Sequence, residues 1–529
     1  MFSNHGLILP VVILSVWIIF EICYRFLGNG KSYFRLIGWI LRPWTAWAML
    51  SVVYQMNPSR SMATVETAPG FSPDIYPFFA RAWSETESFR QIVIKLLHTP
   101  TVWIWGGCVL LLAIMLLLII KRVLSDKPLS TWKVFAMLAA LYLIAGALSF
   151  SVGSLPNGVW DKGEKKGSLL SCWHAHNTVL YAVPFVKTKG NFLRNFAEIQ
   201  PRLRITIHAL SHPPGGALSM YYLGKVVGAG GMNIRLDSTR IRYALGLMFF
   251  AAFNVFILFF MGKSIFGSNR HGFVAAMLWM VAPSILAYTT FAQDSLYSVF
   301  FNLALLFSWK VCTDKKSSYI SMISLGIVFF CLVFLNYSWC LVALIFALFL
   351  LYSAWSNKWQ FRKLFLRGVL PLGVMTILSG WVLLSYKLDY LQAYKVSSEY
   401  VCQWYQFENI YQHIIAWIGG QVDLWLMMGT ITCSAFFASI YLRIKKREFS
   451  PEFAFLLIIL SVYVLPILFG PTCVRLETAR CWMWVLSVPV SFSAHFLLQQ
   501  KRPYIFVTSA VLFSLGTYTI MRLFLNFAP

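Results

Sequence analysis

Charge is what this chain has least of. Only 12% of its 529 residues are Asp, Glu, Lys or Arg, and carboxylates are the scarcer sign, 19 against 44 basic residues. So thin a charged shell cannot keep a soluble domain of this size in water. The ten Cys residues are scattered, with no C-x-x-C pair and no His/Cys ligand spacing. That excludes a zinc-ribbon or dithiol reading and leaves them as small core residues. There is no internal repeat, which excludes a solenoid, and no low-complexity tract. What is present is apolar: 59% hydrophobic residues, 17% aromatic, and a mean hydropathy of +0.68. The fold class that follows is an all-α polytopic membrane protein.

Apolar runs long enough to span a bilayer fall near 7–28, 36–55, 101–121, 131–152, 243–262, 271–291, 295–312, 318–336, 338–355, 366–386, 418–442, 452–470, 482–499 and 504–525, about fourteen transmembrane helices. Basic clusters follow alternate runs: Arg25/Lys31/Arg35, Lys121/Arg122/Lys127, Lys263/Arg270, Lys310/Lys315/Lys316, Lys358/Arg362/Lys363/Arg367, Arg443/Lys445/Lys446/Arg447 and Lys501/Arg502. One orientation places all of them in the cytoplasm, with both termini outside. The net charge of +25 then reads as contact with anionic lipid, supplemented by phosphate contacts on a substrate, and not as nucleic-acid binding. The run from Gly6 has no basic segment before it, so the expectation is an uncleaved first helix.

This orientation makes 56–100, 153–242, 387–417 and 471–481 external. The apolar piece at about 214–230 is Gly-rich and contains Lys225. A span there would invert every later loop, so it reads as a helix lying on the external face or partly re-entrant. Three regions result: 1–130, an N-terminal transmembrane addition with its loop 56–100; 131–360, a core with the loop 153–242; and 361–529, the C-terminal helices.

The most informative stretch is IHALSHPPGGALSMYY, Ile207 to Tyr222. It sets a backbone-rigid, histidine-bearing turn at the start of an apolar segment, after Arg194, Arg202 and Arg204. Polar groups at membrane depth are costly, so such a turn is expected to line a site. His212 is the main polar group of that turn, with a pinned loop histidine as the plainer alternative. His208 stands four residues earlier, but no spacing assigns a metal, and a divalent ion as cofactor stays open. Asp294 opens an apolar run in FAQDSLYSVFFNLALL, where Asp294, Gln293 and Ser295 would also serve as helix caps. Arg202, Arg204, Arg240 and Arg242 are candidate phosphate contacts, with interfacial anchoring as the alternative for each. Arg475 and Arg480 lie in an expected external segment, against the positive-inside trend, and Glu477 could simply pair with Arg480. Tyr221, beside Tyr222, is the best candidate for stacking on a bound molecule.

The order of these features from about Val134 onward resembles the GT-C superfamily of membrane glycosyltransferases, in particular its protein O-mannosyltransferase-like branch, glycosyltransferase family 39. The matching features are the run 131–152, Asp161 beyond it, His212-Pro213-Pro214, and Arg240/Arg242 before 243–262. Lys263–Arg270, Pro283 and Asp294 complete the series. The resemblance covers about 130–360 in detail. It implies a GT-C-like fold and transfer of a hexose or pentose, with inversion, from a polyprenyl-phosphate donor to a glycan, lipid or protein acceptor. The membrane would be a bacterial inner membrane or the endoplasmic reticulum, with the active site facing away from the cytosol. It also implies catalytic roles for Asp161, Asp294 and His212, and donor-phosphate contacts for Arg475 and Arg480.

The family often carries an acidic pair nearer the His-Pro-Pro turn, whereas SCWHAHNTVLYAVPF has no carboxylate. The base is then Asp161, or Glu164, or the imidazoles His174 and His176, and Asp161 among lysines also reads as a solvated loop charge. Two other functions compete. A transporter or flippase of lipid-linked sugars would show repeated halves, and none is seen. A catalytically silent GT-C relative would tolerate loss of the carboxylates.

Overall fold

The structure, a computed structural model, describes Gly38 and residues 100–125, 128–155, 178–186, 189–203, 210–229, 237–289, 292–314, 318–404, 418, 420–421, 424–469 and 482–524. Among these residues every regular element is a helix. The principal ones are α1 (Pro100–Val123), α2 (Thr131–Gly153), α3 (Gly215–Val226), α4 (Asp237–Ala252), α5 (Asn254–Phe266), α6 (Asn269–Met280), α7 (Pro283–Tyr288) and α8 (Asp294–Thr313). They continue with α9 (Tyr319–Leu335), α10 (Trp339–Ser356), α11 (Phe361–Tyr386), α12 (Tyr390–Trp404), α13 (Thr430–Lys446), α14 (Pro451–Phe469), α15 (Ser487–Leu498) and α16 (Pro503–Phe524).

Among the described residues six helical stretches are long and apolar enough to cross a membrane: α1, α2, the α4–α5 run Ser238–Phe266, α8, α10 and α11. The pair α13 and α14, bent by 120°, passes the same test when taken together. The protein is an α-helical membrane protein. The runs expected at 7–28 and 36–55 lie outside the described residues, Gly38 apart. The 214–230 segment forms the 12-residue helix α3, about 18 Å long and too short to span.

Two runs read as single spans are broken. The 271–291 run ends as α6 at Met280 and restarts as α7, because Pro283 has no N–H to offer a preceding turn. Its neighbour Ala282 is accordingly extended, at φ −58° and ψ 131°. The 418–442 run breaks before α13 at Gly429, whose φ of +97° suits glycine and almost no other residue. The two breaks meet: the Ser284 N–H donates to the Met427 carbonyl at 2.9 Å. Unwound backbone inside an apolar medium must be satisfied by protein, and here each break serves the other.

One end of the bundle gathers the basic connections. Arg270 donates to the Ser125 carbonyl at 2.7 Å, which brings the α5–α6 turn to the end of α1. His271 and His495 place ring nitrogens 3.1 Å apart, and Arg443 lies 5.2 Å from the centre of the Phe492 ring. Arg367, fully buried, donates from both terminal nitrogens to the Val311 and Asp314 carbonyls at the end of α8, and lies 4.4 Å from the centre of the Trp359 ring. The guanidinium thus supplies a C-terminal cap that the α8 sequence lacks.

Midway along α8 a buried polar chain fixes its rotation. Asn302 Nδ2 donates to Asn254 Oδ1 at 2.8 Å, Asn254 Nδ2 donates to Ser298 Oγ at 2.9 Å, and Ser298 Oγ donates to the Ser295 carbonyl at 2.6 Å. Asn254 follows directly on the kink at Phe253 between α4 and α5.

A hydrogen bond to a charged group contributes about 1.5–3 kcal/mol. Arg367→Met leaves two carbonyls bare and is expected to cost about 3 kcal/mol, read as a lowered unfolding midpoint in detergent. An unchanged midpoint would remove Arg367 from its capping role.

Candidate functional site

At the end of the bundle away from the basic connections, residues more than eighty positions apart in the chain meet on one ring. His212 stacks on Tyr297, with ring centroids 5.4 Å apart and planes at 30°. Tyr297 stands one turn along α8 from Asp294, on the same helix face and within electrostatic reach of its carboxylate. Asp294 and His212 are both half-buried. The His-Pro-Pro turn and the α8 start are therefore brought together.

Local sequence explains the approach. Pro213 and Pro214 are buried and lead directly into α3, with Gly215 and Gly216 as its first residues. A Cβ at Gly216 would lie 2.6 Å from the Tyr297 hydroxyl, and one at Gly215 would strike the Phe334 carbonyl oxygen. The glycines let the positive N-terminal turn of α3 lie against the carbonyl-rich last turn of α9. Ser211 Oγ sits 3.0 Å from His212 Nδ1, a contact that orients the imidazole. The turn is braced from behind by Gln200, whose Nε2 donates to the Leu210 carbonyl at 2.7 Å.

Beyond Gln200 lies an aromatic group between α9 and α12. Tyr390 donates to the Val333 carbonyl at 2.7 Å, and the Tyr337 ring packs edge-on against Tyr390 and Tyr394 at 5.6 and 5.2 Å. Burial pushes the Tyr337 phenol far above its ordinary range, reinforced by Tyr390, and burial does the same for Tyr390.

Two polar groups at the site lack protein partners. The Tyr297 hydroxyl is fully buried with none, and so are both ends of the Gln293 amide. Gln293 is the N-terminal cap position of α8, yet its side chain makes no capping bond. Asp294 is the first residue within the helix and supplies the acidic group of its first turn.

The arginines are placed at the same end. Arg242 donates to the Gly228 carbonyl at 2.8 Å, closing the C-terminal end of α3. Arg240, like Arg242, lies in the first turns of α4, and Arg202 is exposed in the short turn Gln200–Leu203. Tyr221 is half-buried further along α3, with Tyr222 edge-on at 5.4 Å and Lys225 4.7 Å from its ring centre. Asp161, Glu164, His174, His176, Arg204, Arg475 and Arg480 lie outside the described residues. Among the described residues no three His, Cys, Asp or Glu side chains are gathered to hold a metal ion.

Sequence reasoning left Tyr297 unmarked and treated Gln293 only as a cap. The signal was a Gln-Asp-Ser triplet opening an apolar run, with a tyrosine one turn later. Chemically, an imidazole stacks on a phenol within electrostatic reach of a carboxylate, and the residue before that carboxylate carries a buried amide. That set can take a proton from a hydroxyl and hydrogen-bond a polyhydroxylated molecule. No protein-family model matches the chain, and no curated protein matches it either.

Two outcomes are expected here. Gly216→Ala drives a methyl into the Tyr297 hydroxyl and is expected to cost about 1–3 kcal/mol; adding Tyr297→Phe removes the obstructing atom and recovers most of that loss. Both are read from unfolding midpoints, and a purely additive double variant would refute the contact. Tyr337 supplies a pH test. Its phenol is raised in the folded state, so its contribution to stability is present below about pH 10 and is lost as pH rises past that value, where the unfolded chain ionises first. The midpoint is expected to fall above about pH 10, and less steeply in Tyr337→Phe.

Proposed function

We propose that the protein is an integral-membrane glycosyltransferase of the GT-C type, resembling the protein O-mannosyltransferase-like branch. It moves a sugar from a polyprenyl-phosphate donor to an acceptor on the non-cytoplasmic face. The observation that carries this reading is the convergence of His212 and Asp294 on Tyr297, at the bundle end opposite the basic connections. In the fourteen-helix orientation with basic loops in the cytoplasm, that end faces outward.

In this reading a carboxylate, Asp294 or the loop residue Asp161, takes the proton from the acceptor hydroxyl. The oxygen attacks the anomeric carbon from the face opposite the phosphate. The bond from that carbon to the phosphate oxygen breaks, inverting the centre and releasing polyprenyl phosphate. Arg202, Arg240 and Arg242, with Arg204, Arg475 and Arg480, supply positive charge toward the phosphate. His212 orients the base or contacts the phosphate.

One observation favours a second reading. The α6–α7 interruption and the break at Gly429 before α13, joined by the Ser284–Met427 bond, are the kind of paired helix breaks that line the sites of transporters. A flippase of lipid-linked sugars would use them.

The decisive measurement is turnover of radiolabelled polyprenyl-phosphate sugars by protein purified in lipid. Asp294→Asn and Asp161→Asn are the variants, and removal of the base is expected to lower turnover about 10²–10⁴-fold. Turnover insensitive to both carboxylates would displace the base to Glu164, His174 or His176. Movement of the donor across vesicles without its cleavage would establish the second reading instead.

A further inference from the structure

Gln293 is the buried side-chain amide that the fold does not use. It is 2% exposed, and both its oxygen and its nitrogen lack hydrogen-bond partners. The other buried amides of this region behave differently. Asn254 is bonded at both ends, while Asn302 and Gln200 are each bonded through nitrogen. Among the described residues no other side chain has two such unmatched atoms. Burying an amide without partners costs about 1–3 kcal/mol by protein measurements and more by transfer measurements. A capping role would explain the cost, but the side chain makes no capping bond. An apolar residue of similar volume would pack there without the penalty.

The position of the amide says what it is held for. Gln293 directly precedes Asp294 and stands four residues, about one helical turn, before Tyr297, whose hydroxyl is itself buried and unmatched. An amide offers a donor and an acceptor side by side in one plane. A phosphate accepts only and would leave the Gln293 oxygen bare; a cation would use that oxygen and leave the nitrogen bare. A pair of neighbouring hydroxyls both donates and accepts, and matches the two ends at once.

We infer that Gln293 is a specificity-determining residue that reads two adjacent hydroxyls of the sugar. This rests on the site being the sugar site proposed above. A pocket that hydrogen-bonds a hydroxyl rejects the analogue lacking it, because its own polar atoms are then left unpaired. Such selectivity is out of reach of an apolar wall.

The test compares wild type with Gln293→Leu in three titrations: farnesyl-phosphate mannose, glucose and galactose; monodeoxy versions of whichever binds best; and farnesyl phosphate without sugar. Unliganded unfolding midpoints are measured alongside. Wild type is expected to prefer the sugar-bearing ligand and to lose about tenfold to a hundredfold in affinity on removal of one particular hydroxyl. Gln293→Leu is expected to show an unliganded midpoint equal to or above wild type, a similar loss for the complete sugar, and no further loss for that deoxy analogue. A lowered midpoint with unchanged sugar affinity would make the amide structural and overturn the inference. Equal weakening toward bare farnesyl phosphate would move the contact to the phosphate and overturn it as well. If wild type shows no preference for any sugar-bearing ligand over the bare phosphate, the sugar site itself falls. If wild type discriminates but Gln293→Leu discriminates equally, only the role of Gln293 falls.

Discussion

An apolar interior has no water to complete a hydrogen bond, and that constraint organises this protein. Each polar atom within the bundle either finds a protein partner or carries an energetic cost of its own. The Asn302–Asn254–Ser298 chain is the clearest response. Those side chains can be satisfied only if α8 takes one rotation against α5, and that rotation directs the Asp294 and Tyr297 face toward the His-Pro-Pro turn. At the opposite end the same constraint brings Arg367 across from α11 to close the last carbonyls of α8. The site is therefore a product of how polar groups are matched along one helix, more than of any direct bond between its own residues.

The matching is incomplete at several places among the described residues. Gln293 and Tyr297 are unmatched beside the turn, and the hydroxyls of Ser284, Thr430, Thr432 and Ser514 are unmatched near the two helix breaks. Asn254 and Ser493, deeper in the packing, find partners. Asn302 Oδ1, Ser308 Oγ and Trp279 Nε1 are unmatched within the packing as well, and what sets Gln293 apart among the described residues is that both ends of one side chain are bare.

Run length and hydropathy made the long helices legible, since α1, α2, α8, α10 and α11 are continuous apolar stretches bounded by charge or proline. The breaks before Pro283 and Thr430 were harder. Apolar composition continues through both, and only the proline and one glycine mark a change in backbone. His212 and Asp294 were each singled out by their motifs, and their meeting through the Tyr297 ring is what the fold adds. Tyr297 was not singled out, because a tyrosine in an apolar run carries no signal until a second ring lies against it. Gly215 and Gly216 likewise read as parts of a turn, whereas the fold uses them to admit a carbonyl and a phenol. Arg367 was counted with a basic cluster, and nothing in its neighbourhood announced a buried cap. The acidic loop candidates near Asp161 lie outside the described residues.

The hold on α8 has a mechanical side. The helix is clamped by Arg367 at one end, locked by the asparagine chain at mid-length, and covered by the His212 ring near the other. A rod fastened at three heights cannot roll, and it can slide only by breaking several bonds together. The opposing wall is shorter: α3 is 12 residues long, and Arg242 donates to the Gly228 carbonyl at its far end. Of the two walls, α8 is the one held along its whole length by side-chain hydrogen bonds. A molecule that met this face would find the Asp294 carboxylate on the more firmly anchored side.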